Sequence, residues 1–116
     1  MKAATVISAL AIATGATAAG VQCGQQYAPV SNIKNCINFL KDKGTADCEV
    51  GGGNGGFCKD GSAVILGHGV RKTNCQNIAA AAEAILGQCT NADGKSAGGR
   101  STIGGNENIY ITVERA

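Results

Sequence analysis

Six cysteines in a chain of 116 residues constrain this fold more than any other feature. Cys23, Cys36, Cys48, Cys58, Cys75 and Cys89 are dispersed along the chain, with no C-x-x-C pair, and the single histidine, His68, has no second imidazole beside it. That spacing is wrong for a tetrahedral zinc centre and right for a disulfide framework. A domain this small buries a limited core, so three cross-links are expected to carry much of its stability, each by roughly 2 to 4 kcal/mol through restriction of the unfolded chain. Cys48 and Cys58 bracket a glycine turn and are expected to pair across it. Cys23 with Cys89 and Cys36 with Cys75 would then tie two helices to a sheet and an N-terminal strand.

Oxidised cysteines require export, and the chain opens with a matching leader. Met1 and Lys2 precede a short run of apolar and small residues ending in Ala16-x-Ala18, the pattern of a secretory signal peptide over residues 1–19. The run falls short of the about 20 apolar residues that a span needs, so no stable membrane insertion is expected. Residues 20–116 remain as one disulfide-stapled domain, secreted, extracellular and read as a monomer. Lys and Arg number 10 against 8 Asp and Glu, and Lys2 belongs to the leader, so the excess falls to one. Such a balance implies no nucleic acid partner, and two Tyr with two Phe are too few for a base-stacking platform.

Ile33, Cys36, Ile37 and Leu40 repeat at helical spacing between Ser31 or Asn32, either of which offers an N-cap oxygen, and Gly44, suited to the C-terminal cap. A second stripe, Cys75, Ile78, Ala79, Ala82, Ile85, Leu86 and Cys89, predicts a helix capped by Thr73 or Asn74 and disturbed at Gly87. The period changes to two in Ser62 to Val70 and in Asn108 to Arg115, where Ile109, Ile111 and Val113 point inward. Val21 to Tyr27 and Ala46 to Val50 are weaker strands. The expected class is α+β: a two-layer α/β sandwich with a split βαβ order, β-α-β-β-α-β, its antiparallel sheet carrying two helices on one face. The stretch from Gly94 to Asn106 reads as a long polar loop.

Gly51 to Gly56 contains a G-x-G-x-x-G, but a dinucleotide loop must open a helix, and here a strand follows. Gly94-Lys95-Ser96 resembles the end of a phosphate loop, yet Cys89 stands where the first glycine belongs. Neither motif implies a cofactor. His68, between two glycines at a strand end, reads as a polar tip, and the alternative is a general base. Its acid partner would come from Glu49, Asp60, Glu107 or Glu114. Lys59, Arg71 and Lys72 form a basic cluster at the ends of the 62–70 strand, and with Lys95 and Arg100 of the exposed loop they are the natural partner contacts.

The order of a cysteine-bearing helix, Phe57-Cys58-Lys59-Asp60-Gly61-Ser62 leading into a strand, Asn74-Cys75 opening an Ala/Ile/Leu helix, Cys89, a glycine loop and a final N-x-Y-x-T-x strand resembles the small secreted killer toxins of smut fungi and related fungal cysteine-rich effectors. The resemblance covers Cys23 to Arg115. It implies a disulfide-held α/β sandwich, secreted by a fungus, that acts on a competing microbe or a host and inhibits growth through ion transport rather than catalysis. This chain has fewer cysteines, so that family's bridge pattern does not transfer, nor does any functional residue. The expected function is a non-enzymatic secreted effector or killer-toxin-like antimicrobial or virulence protein with an unknown host or microbial cell-surface target. The alternative is a small secreted nuclease-like hydrolase using His68.

Overall fold

The computed structural model describes residues 20–49, 55–69, 72–103 and 106–116, and at residues 25, 55 and 106–108 the backbone only. The leader at 1–19, Gly51, Gly52, Gly53 and Asn54 of the glycine turn, and Arg71 lie outside the described residues. The elements run β1 (Val21–Pro29), α1 (Val30–Lys43), β2 (Asp47–Glu49), β3 (Gly55–Asp60), β4 (Ala63–His68), β5 (Lys72–Asn74), α2 (Cys75–Cys89), β6 (Ser96–Ile103) and β7 (Asn106–Arg115). The result is a small α+β fold with two helices, antiparallel sheets and three disulfides.

The two helices fall where the apolar spacing places them. Ile33, Cys36, Ile37 and Leu40 form the buried stripe of α1, and Gly44 closes it at φ 58°, its N–H bonded to the Lys41 carbonyl. The start differs from expectation: Pro29 is the N-cap, and no side chain caps the helix. The Val30 N–H donates instead to the Lys95 carbonyl at 2.9 Å, so a tertiary contact replaces the Ser31 or Asn32 cap. In α2 the Asn74 side chain does accept from the Asn77 N–H, at 3.1 Å. Gly87 leaves the helix unbroken to Cys89.

The strand order differs more. A five-stranded sheet runs β1-β6-β7-β4-β3, and β2 pairs with β5 as a separate ribbon. Three strands, β3, β5 and β6, are not among the expected strands. The stretch 94–106 is a correction: Ser96–Ile103 is an inner strand between β1 and β7, with Ala97, Gly98, Gly99 and Ser101 buried. Its small residues carry no apolar alternation because close approach selects them. A Cβ at Gly99 would stand 2.6 Å from the Gln22 carbonyl oxygen and 3.2 Å from Cys89 Sγ. Gly99→Ala is therefore expected to cost about 1 to 3 kcal/mol in urea melts. Gly87→Ala, which meets nothing within 4 Å, should be neutral or stabilise by up to about 1 kcal/mol.

The disulfides are Cys23–Cys89, Cys36–Cys58 and Cys48–Cys75. The expected pairs Cys48–Cys58 and Cys36–Cys75 are corrected. Cys48 and Cys58 stand on different sheets, because β2 leaves the large sheet to pair with β5, with Cys48 opposite Thr73, two residues before Cys75. Cys58, on β3, is left to bond α1.

Register assigns the two faces of the large sheet. Ala63, Ile65 and Gly67 of β4 share a face with Ile111 and Val113 of β7 and with Gly99 and Ser101 of β6. All are buried, and the apolar ones join the helix stripes in one core. The alternate positions, Val64, Leu66, His68, Arg100, Thr102, Tyr110 and Glu114, are half-buried.

Candidate functional site

On that second face three planar side chains form a row across three strands. Tyr110 occupies the central strand β7, directly opposite His68 on β4. Their rings stack at 4.7 Å between centroids with planes 6° apart. Arg100 reaches in diagonally from β6, its Cζ 4.0 Å from the Tyr110 ring centroid. Below the row, buried Thr112 places Oγ1 3.0 Å from His68 Nε2, a hydrogen bond whose donor is set by the imidazole tautomer. The row is thus held by stacking and by one buried hydroxyl.

The arrangement unites two residues that the sequence treats separately, His68 and Arg100. It adds Tyr110 and Thr112, whose signal is the period of two in β7: if Ile111 and Val113 face the core, Tyr110, Thr112 and Glu114 face away. Among the described residues, neither the Arg100 guanidinium nor the Tyr110 hydroxyl has a carboxylate or hydrogen-bonding partner.

The proposed acid partners of His68 are dispersed. Glu114 lies four residues along β7 from Tyr110, roughly 13 Å at the rise of an extended strand. Asp60 stands beside Ala63, at the opposite end of β4 from His68. Glu49 belongs to the separate ribbon, and the Glu107 side chain lies outside the described residues.

Asp60 has a structural task. Its Oδ2 accepts from Asn35 Nδ2 at 3.0 Å and from Asn32 Nδ2 at 2.9 Å, tying the β3–β4 turn to α1. The Asn35 amide, then that of Asn32, holds this carboxyl below its ordinary 3.8 against slight desolvation. A depressed folded value stabilises the protein above the unfolded value, and that contribution is lost as pH falls below 3.8 and through the folded value. Asn35→Ala should move the Asp60 midpoint upward in a carboxyl NMR titration.

Among the described residues, the other predicted basic contacts, Lys59, Lys72 and Lys95, lie apart from one another. Lys72 lies 3.8 Å from Asp47 on the β2–β5 ribbon. Lys59 is exposed on edge strand β3, beside a hollow of about 300 Å³ lined also by Asn35, Phe39, Phe57 and Asp60. Lys95 borders a second hollow, of about 480 Å³, with Lys34 at the start of α1. Among the described residues no cluster of three or more His, Cys, Asp or Glu side chains is arranged to hold a metal ion. No described helix is long and apolar enough to cross a membrane.

No curated protein and no solved structure matches the chain. One family model does, over residues 17–115, and the chain belongs to that family, a domain of unknown function designated DUF8794.

Proposed function

We propose that the chain is a secreted, non-enzymatic effector of the killer-toxin-like kind, which acts on a host or a competing microbe by surface recognition. The fold then serves as a two-layer sandwich, with both helices on the core face of the five-stranded sheet and the other face presented to a target. The observation that carries this reading is the half-buried Arg100–Tyr110–His68 row on the sheet face away from the core, on a scaffold cross-linked by three disulfides. Such cross-links are compatible with an extracellular protein. Rigid elements hold the row in place before any partner arrives, which lowers the ordering cost of binding.

Growth and cell-death assays with the purified, oxidised protein on microbial and host cells test the reading. Activity on one cell type, lost on reduction, is the expected result. A protein inert on every cell type overturns it.

The second reading, a nuclease-like hydrolase, is favoured by one contact, the His68 Nε2 to Thr112 Oγ1 hydrogen bond beside an arginine. Against it stands the separation of Asp60, Glu49 and Glu114 from the imidazole, since acid–base catalysis needs both groups within reach of one substrate. RNA and polysaccharide hydrolysis by wild type and His68→Ala decides between the two. Equal rates remove the hydrolase.

A further inference from the structure

We infer that the Arg100–Tyr110–His68 row is a binding site for the phosphate headgroup of an anionic membrane lipid. This rests on the surface-recognition reading above and names the chemistry of the target.

Three observations select the ligand. First, Arg100 is half-buried without an ion-pair partner among the described residues, its Cζ over the Tyr110 ring. A guanidinium carries a planar fork of N–H donors that can bind phosphate in a bidentate manner, and an aromatic ring beneath it leaves those donors unconsumed. The Tyr110 hydroxyl adds a donor along the same row, and His68 Nδ1 adds another in the tautomer whose Nε2 accepts from Thr112 Oγ1. A planar carboxylate is saturated by the arginine fork alone, whereas a phosphate has further oxygens for the phenol and the imidazole.

Second, the Tyr110 ring is already engaged, with Arg100 and His68 as its packing partners. A nucleotide base or a sugar would have to displace one of them to stack on that ring. The edges remain, and edges recognise oxyanions.

Third, the neighbours suit a membrane interface. Leu66 precedes His68 on the same face of β4, with Val64 beyond it, both half-buried. They offer apolar contact beside the charged row without the length of an inserting segment. Exposed Lys59 shares the register row of Val64 and Glu114, so one cation and one carboxylate balance in that row. Glu114, the one described carboxylate there, lies two residues along β7 from Thr112, which stands opposite Arg100, so it is a diagonal neighbour of the arginine at roughly 7 to 8 Å between backbones.

The test uses the oxidised protein and two probes. Titration with inorganic phosphate should shift the NMR signals of Arg100, Tyr110 and His68 together and saturably. Co-sedimentation with phosphatidylcholine vesicles should rise when phosphatidate is included and fall with added salt. Arg100→Gln should weaken both by about tenfold or more, and Arg100→Lys by less, because lysine keeps the charge and loses the fork. Absence of a saturable shift at the row in wild-type protein overturns the site, whatever the variants do. Phosphate binding without headgroup discrimination, or tighter binding to a short RNA than to phosphatidate vesicles, overturns the lipid assignment. Wild type that acts on cells without binding vesicles removes this inference and keeps the effector reading. Wild type that binds vesicles and acts on no cell does the reverse.

Discussion

Cys23→Ser with Cys89→Ser should lower the unfolding free energy by about 4 kcal/mol, measured by urea melts of the two forms with the other bridges intact. The bond spans a sequence separation of 66, the largest of the three, and the chain-entropy model assigns about that value to a loop of this length. Domains of this size are stable by only about 5 to 15 kcal/mol in total. Cys89 is 2 % exposed at the end of α2, and Cys23 lies on edge strand β1 opposite Gly99. The bond therefore fastens an outer strand and a helix end to one inner position. Loss of the β1 edge should accompany the drop, read as faster amide exchange at Val21, Gln22 and Cys23, which pair with β6. An unchanged midpoint would mean that the unfolded chain is already compact at these ends.

Ile65→Ala should cost about 3 kcal/mol, within the range for deleting a fully buried aliphatic side chain. Ile65 has no exposed surface and lies between Cys58 on β3 and Val113 on β7, facing the helix stripes. Its neighbour Leu66 is half-buried on the opposite face, so Leu66→Ala should cost markedly less. The contrast has a functional edge. Leu66→Ala should also weaken binding to phosphatidate vesicles, whereas Ile65→Ala should alter binding only as far as it unfolds the protein. Equal stability losses at the two positions would mean that the second face is more covered than its exposure indicates.

The legible parts of this molecule share a cause. Both helices, β4 and β7 carry their core residues at a period that a single strand of sequence displays, so Ile33 to Leu40, Ile78 to Ile85 and Ile111 to Val113 declare their faces. Strand β6 was hidden because it is buried by smallness. Ala97, Gly98 and Gly99 read as loop residues, and only the approach of the β1 backbone explains them: a Cβ at Gly98 would stand 3.1 Å from the Gly24 carbonyl oxygen. Cys23–Cys89 forms as expected, and the other two disulfide pairings were hidden for a related reason. Cys48 and Cys58 are near in sequence, but β2 and β3 enter different sheets, so sequence distance misjudged spatial distance.

The candidate site divides the same way. The alternation of β7 by itself places Tyr110 and Thr112 on one side and Ile111 and Val113 on the other, because the side-chain period of a strand is two. Local patterning also determines that six cysteines in so small a chain form a cross-linked α+β domain with two helices. Only the tertiary structure decides that Arg100, read as a loop cation, lies on an inner strand beside Tyr110, and that His68 completes the row from the other side. The physical reason is strand order: β6, β7 and β4 are neighbours through long-range antiparallel pairing. The register of that pairing depends on packing against the helices, which no local stretch of residues encodes.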